Sequence, residues 1–384
     1  MYIMGKAEID AVAKVIKSGR LFRYHDGKVN PFIGSFEKAI ARKLGTRYAF
    51  ATNSGTSSLI CALAGVNIGP GDEVIVPGYT YIATPLAAVA LGAVPIIADV
   101  DETLTLDPRD VERKITRHTK AIIPVYMLGL SCNMAAIMRI ARRHGIAVVE
   151  DVAQAGGGSY HGRRFGSIGA VGAFSFNFYK IISCGEGGAV VTNDRHVFER
   201  AMMYHDCGYS FFSNERPATV PFFAGVNYRV SVIQSAVLYE QLKRLDGIIA
   251  GLRARRNVMA EILARSKRLR VSPSNDAKGD CATHLPVLLA SADEAVAFQR
   301  EHGKLCSMFR PVDTGRHVYK YWEPVLEQRT HHPRLSPWKL SGRRYRYTKD
   351  MLPQTLDVLA RTVCLRVPLE KTLAEVRRMA RQMV

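Results

Sequence analysis

The stretch VGAFSFNFYKIISCGEGGAVVTN, residues 171–193, decides how this chain is read. From Val171 to Lys180 apolar and aromatic residues alternate with small polar ones, the pattern of a strand buried against other structure. The pattern breaks at Cys184-Gly185-Glu186-Gly187-Gly188 and resumes as a second strand from Ala189 to Thr192. Lys180 is thereby expected at a strand end beside a glycine-rich turn, with Ser175 upstream of it. An ammonium is costly to keep charged in apolar, aromatic surroundings, so it tends to lose its proton. A neutral amine held rigidly is what Schiff-base chemistry requires. A lysine snorkelling from a strand end to solvent fits the same letters, and the choice falls to the rest of the chain.

Upstream, short β-rich runs alternate with helical ones. Residues 6–18 read as a helix, 19–31 as a loop and Phe36 to Leu44 as a helix closed by Gly45. Strands are expected at Tyr48–Thr52, Asp72–Pro77, Val94–Asp99, Thr119–Tyr126 and Ile146–Glu150, with helices after the first, second and fourth. This alternation predicts an α/β fold around a mostly parallel sheet with crossover helices. Ligands of such sheets sit beyond the carboxyl ends of the strands. The Ser54–Ser57 loop, Tyr81, Asp151 and Lys180 all fall there. Strand, small polar loop and helix at 48–67 is the geometry that aims N–H groups and a helix dipole at an anion, although a plain N-cap uses the same residues. Asp151, directly after a buried strand, needs a cationic or N–H partner, or else caps the next turn. Downstream, an irregular stretch is expected from Cys207 to Val226, then a long helix from Ser231 to about Arg265. A strand near Thr283–Leu289 and a closing helix from Leu373 to Met383 follow. The length predicts two domains, a large one over 1–250 and a smaller α+β one over 251–384.

Composition narrows the class. The chain has 384 residues, 47% hydrophobic and 23% charged, as in an ordinary globular protein. No window approaches the roughly 18 apolar residues of a membrane span, and the first twenty residues lack a signal-peptide core. Seven scattered cysteines with no CxxC predict reduced thiols in the cytoplasm, without disulfides or a metal site. The formal charge of +19 suits anionic partners. It is spread along the chain, with one dense stretch, Arg310 to Asp350, holding ten Lys/Arg against four Asp/Glu. No nucleic-acid-binding signature accompanies it.

Taken together, a lysine for a Schiff base, an aspartate to face a protonated pyridine nitrogen, a phosphate cradle and a flat aromatic are the parts of a pyridoxal-phosphate site. With these parts in hand, the chain resembles the DegT/StrS-type sugar aminotransferases, within the fold-type-I pyridoxal-phosphate enzymes. The likeness is carried by NSGTSSL (53–59), IGPGDEVIVPGYTYIAT (68–84), VVEDVAQAGGGSYHGRRFGSIGAVGAFSF (148–176), KIISCGEGGAVVTND (180–194) and GVNYRVS (225–231). It covers residues 1–250 closely and the rest loosely.

The resemblance implies a large domain with a seven-stranded type of sheet and a set of roles. Lys180 is the lysine that bonds the cofactor covalently and moves the substrate proton. Asp151 pairs with the pyridine nitrogen, Gln154 contacts the phenolic-oxygen side and Tyr81 stacks on the ring. Gly55, Thr56 and Ser175 hold the phosphate. Asn227 reaches the phosphate of the neighbouring subunit's cofactor, which implies a homodimer with shared sites. Arg229 is expected at the same interface, or in an ordinary salt bridge. The implied reaction is ping-pong transamination through the pyridoxamine phosphate form. Glutamate or glutamine is the donor, and a keto or aldehyde sugar, nucleotide-sugar or related carbonyl compound the acceptor, in surface-glycan or natural-product biosynthesis. Related dehydratases replace the lysine by histidine, so Lys180 points to amino transfer. The chain departs from the family at Tyr126, where histidine is usual, Asn133 (an acid), Ile181 (asparagine) and Cys207 (histidine). Around 317–339 it resembles the branch acting on a keto-octulosonic acid sugar. Two other readings stay open: the same cofactor with elimination, decarboxylation or condensation on a non-sugar substrate, and a DNA-binding regulator that has kept the fold.

Overall fold

In the computed structural model, residues 3–208 and 218–384 are described; positions 209–217 of the irregular stretch expected at 207–226 lie outside them. Seven strands form the main sheet. In chain order they are β1 (Tyr48–Thr52), β2 (Glu73–Pro77), β3 (Val94–Ala98), β4 (Thr119–Ile122), β5 (Ala147–Asp151), β6 (Val171–Ser175) and β7 (Gly188–Thr192). Their spatial order is β1-β7-β6-β5-β4-β2-β3. Pairing is parallel throughout β6-β5-β4-β2-β3, while β7 runs antiparallel to both β6 and β1. The carboxyl ends of β1, β2, β5 and β6 therefore point the same way, and β7 begins at that edge.

The strands read as near-continuous apolar runs because both faces are covered. Alternation splits them between two cores. Val74 and Val76 of β2 pack on one side with the helix Gly55–Gly65, while Ile75 packs on the other with the helices Pro31–Leu44 and Met134–His144. The helix at 31–44 starts five residues before the expected Phe36, because Asn30 caps Phe32 N and Pro31 takes the first turn, where its missing N–H costs nothing. The helix 108–114 was not legible in the sequence; it is short, and Asp107 caps it with a proline behind.

A second sheet holds β8 (Leu269–Val271), β9 (His284–Leu289), β10 (Met308–Phe309) and β11 (Thr362–Arg366), in the antiparallel order β8-β9-β11-β10. The helix Val232–Leu263 joins the two sheets: Leu238, Leu242 and Leu245 belong to a core of the main sheet, and Leu252, Met259 and Leu263 to that of the second. Along this helix the buried side chains change from one core to the other between Ile249 and Leu252. The basic segment 310–350 is ordered by its aromatic residues. Tyr319, Trp322 and Trp338 are buried against the main sheet, Trp322 donates to Arg316 O and Trp338 to Tyr347 Oη.

Backbone crowding at the β1, β6 and β7 ends requires glycine twice. A Cβ on Gly188 would stand 2.4 Å from both Ser54 O and Ser58 Oγ and 2.7 Å from Phe174 O; one on Gly55 would stand 2.5 Å from Ser175 Cβ. Gly188→Ala is expected to destabilise the protein by about 1–3 kcal/mol through overpacking against rigid backbone, read as a lowered midpoint in denaturant unfolding.

Candidate active site

The lysine hairpin differs from its sequence reading. Strand β6 ends at Ser175, not at Lys180. Beyond it the chain forms a wide turn closed by Phe176 N to Gly187 O at 2.8 Å and Phe178 N to Gly185 O at 2.9 Å. The aromatic run splits there: Phe174 and Phe176 point into the core, whereas Phe178 and Tyr179 are exposed. Alternation fails because Asn177 turns the backbone, its side chain accepting from Tyr179 N and its carbonyl from Lys180 N. Ile181 and Ile182 are buried behind the lysine and anchor the turn.

Lys180 lines a cavity with Gly55, Thr56, Tyr81, Asp151, Gln154 and Ser175. Seven of the eight cofactor-binding residues expected from sequence, counting Lys180 and Asp151, thus share one space at the carboxyl edge of the sheet. Burial pushes the Lys180 ammonium below its usual pKa, while the charges of Asp151 and Glu186 oppose that shift. Asp151 is 3% exposed. Burial raises its pKa, and three groups pull it down: Ala153 N at 3.0 Å, the Thr84 hydroxyl at 2.8 Å and the charge of Lys180. Thr84 in turn accepts from the Thr80 hydroxyl at 2.7 Å, its own proton being given to Asp151. The carboxylate is therefore aimed by a hydroxyl chain from the loop after β2.

The helix Gly55–Gly65 opens on this cavity. Ser54 caps it by accepting from Ser57 N at 3.1 Å. The N–H groups of Gly55 and Thr56 lie in its first turn, before intrahelical bonding begins. With the close approach of Ser175 behind Gly55, this arrangement can serve as a compact anion cradle. Gln154 turns its carbonyl to Leu128 N at 2.9 Å, which leaves its amide N–H groups for the cavity. Tyr81 is half exposed, its ring 5.2 Å from that of His317.

Asn227 is the exception. It is exposed, accepts from Arg229 N at 3.2 Å and does not line the cavity. Arg229 pairs with Asp206, which also accepts from the Tyr24 hydroxyl. Of the four departures from the family pattern, only Ile181 lines the cleft. Tyr126 is buried, stacks on Phe165 and donates to Glu150 at 2.5 Å; Asn133 caps the helix Met134–His144; Cys207 is exposed at a positive φ.

Sequence reasoning missed Thr84, Asn177, Glu186, Thr283, His284 and His317, all of which line the cavity or its outer continuation. Thr84 carried a signal, being one turn beyond Tyr81 at a helix start. His317 carried none. It reaches the site because residues 316–319 run along the loop after β2, with Thr80 N to His317 O at 2.9 Å, Ile82 N to Arg316 O at 3.0 Å and Tyr319 N to Gly78 O at 2.9 Å.

These features define an α/β protein with an anion cradle and a lysine–carboxylate pair at the carboxyl edge of its sheet. The chain belongs to the DegT/DnrJ/EryC1/StrS aminotransferase family, whose model matches residues 3–384. It is 43% identical over 223 residues to GDP-perosamine synthase of Caulobacter vibrioides, a match covering 58% of this chain and 59% of that protein. It is also 43% identical over 245 residues to the dTDP-3-amino-3,4,6-trideoxy-alpha-D-glucose transaminase of Streptomyces venezuelae, covering 63% and 61%. The matched part is thus about three fifths of each relative's length. The solved structure of a 3-amino-5-hydroxybenzoic acid synthase superposes with a TM-score of 0.82 at 28% identity, over 99% of this chain and 96% of the other.

Because burial raises the Asp151 pKa, the carboxylate destabilises the folded state at any pH where it is ionised. Asp151→Asn removes the charge; its Oδ1 can still accept from Ala153 N, and its Nδ2 can donate to the Thr84 hydroxyl once that hydroxyl turns its proton to Thr80. In cofactor-free protein it is expected to melt at a higher temperature than the parent at neutral pH. The difference should close as the pH falls and Asp151 takes up its proton.

Proposed function

We propose that the protein is a pyridoxal-phosphate-dependent aminotransferase that moves an amino group from glutamate or glutamine to a keto or aldehyde sugar or related carbonyl compound. The observation that carries this is one cavity combining a lysine of lowered pKa, a buried carboxylate and a helix N-terminus. The family and the named relatives support the sugar assignment.

The residues present fit the cofactor. Its phosphate suits the first-turn N–H groups of Gly55 and Thr56 with the Ser175 hydroxyl. Asp151 would face the pyridine nitrogen, Gln154 the ring oxygen and Tyr81 the ring face. When bound, the cofactor supplies an electron sink for the bond broken at the substrate α-carbon. The chain's own work is protonic and positional. Burial keeps a fraction of Lys180 neutral, so its Nζ can take a proton and return it. Asp151, held by Thr84 and Ala153, keeps a negative charge where a protonated nitrogen needs one. Ile181, Leu128 and Tyr81 line the cleft beside the lysine and give it apolar and aromatic surroundings.

Two further parts of the proposal concern assembly and place. Asn227 lies outside its own cavity, and Leu21, Phe22, Phe178, Tyr179 and Phe222 are exposed apolar side chains. A homodimer in which Asn227 reaches the partner's cradle would use both. The seven free thiols suit a reducing cytoplasm.

The purified protein is expected to be yellow and to shift its absorbance toward the pyridoxamine form with glutamate or glutamine. Lys180→Ala should lose both properties. A yellow protein that no amino acid converts would move the reading to another reaction on the same cofactor. Asn227→Ala should weaken cofactor binding about tenfold, the scale of one lost hydrogen bond to a charged group, while the monomer keeps its melting temperature without cofactor.

A further inference from the structure

Beyond Lys180 the cavity continues into an outer cleft of about 450 Å³. Strand β9 contributes Thr283 and His284 to it, and the 316–319 segment contributes His317 opposite Tyr81. Among the described residues that line it, Lys180 is the one Lys or Arg, and no carboxylate is present.

The hydrogen bonds behind the two histidines settle their tautomers. His284 Nδ1 lies 3.1 Å from Thr283 Oγ1. That hydroxyl has one proton, and it goes to Leu128 O at 2.7 Å, so the proton between threonine and histidine sits on Nδ1. His317 Nδ1 lies 3.3 Å from the Thr314 carbonyl, which only accepts, and so Nδ1 carries the proton there too. Burial keeps both rings neutral: the His284 pKa falls to about 4, and that of His317 is also lowered, helped by the charge of Lys180. A neutral imidazole protonated at Nδ1 offers a bare lone pair at Nε2. Neither Nε2 has a partner among the described residues.

We propose that His284 and His317 are specificity residues that accept hydrogen bonds, through Nε2, from hydroxyl groups of a neutral polyhydroxylated carbonyl substrate. The inference rests on the aminotransferase reading above. A carboxylate or phosphate at this place would set its own lone pairs against those of Nε2 and bring no proton. An ammonium could donate but would find no countercharge. A hydroxyl donates without either cost, and a cluster of them matches two acceptors lining one cleft. If the substrate also bears a phosphate, that group sits beyond the histidine pair, with the hydroxylated part between it and Lys180.

The test separates the two half-reactions of the holoenzyme, with glutamate as donor and L-erythrulose, a neutral trihydroxy ketone, as the probe for the second. In His284→Leu and in His317→Leu the KM for erythrulose is expected to rise about tenfold or more, the effect of one lost hydrogen bond of about 1.4 kcal/mol. Conversion of the cofactor by glutamate should change less than twofold. The probe 1-hydroxy-2-butanone has the same carbon chain with two hydroxyls fewer, and it should lose affinity in the parent enzyme but little more in the variants. His→Gln at either position, which keeps an acceptor oxygen, should recover most of the loss. Equal losses in both half-reactions would indicate a structural role and overturn the proposal. So would equal handling of the two ketones, failure of the parent enzyme to use erythrulose while glutamate still converts the cofactor, or ¹⁵N spectra that place the proton on Nε2. An enzyme that glutamate leaves unconverted overturns the aminotransferase reading itself, a separately visible result.

Discussion

The site depends on how closely three backbones meet at the carboxyl edge of the sheet. Gly55 at the start of the helix after β1, Ser175 of β6 and Gly188 of β7 come together, and two of the three positions leave no room for a Cβ. That contact exists because β7 is antiparallel to both neighbours, so Gly188 pairs with Thr52 on one side and Ser175 on the other. It fixes the helix N-terminus over the start of the lysine turn.

Around this contact the protein tolerates charges that oppose folding. Lys180 and Asp151 each sit where burial disfavours the ionised form, and each is part of what makes the other bearable. Neighbouring Glu150 is equally buried but is met by three backbone N–H groups, from Gly166, Ile168 and Gly169, and by the Tyr126 hydroxyl. The contrast is informative. Glu150 has the saturated hydrogen bonding of a structural carboxylate, whereas Asp151 keeps a face toward a cavity.

Much of this was legible in the sequence, and the reason is locality. Strands β1 to β7, the helices after β1, β2 and β4, and Gly55, Tyr81, Asp151 and Ser175 are short-range patterns, set by apolar periodicity and by glycine and serine at strand ends. Lys180 was found by chemistry, although its strand stops five residues earlier than alternation suggests, because Asn177 spends its side chain on a turn. What stayed hidden is long-range. His317 is 137 residues from the lysine and enters the site only because its backbone pairs with residues 78–82. Periodicity carries no trace of such a contact. The acceptor role of Thr283 toward His284 is equally invisible, since it depends on where Leu128 O lies.

The strap formed by residues 316–319 has a consequence for how such an enzyme diversifies. The residues that line the inner cavity come from the first half of the chain, at or just beyond the ends of strands that buried packing holds rigid. One part of the outer wall comes from this late, irregular segment, tied on by main-chain hydrogen bonds and by the buried side chains of Val318 and Tyr319. His317 lines the cleft between these anchors, so its side chain can change while they stay in place. A substitution at His317 can therefore reshape the outer wall while leaving the lining of the inner cavity in place.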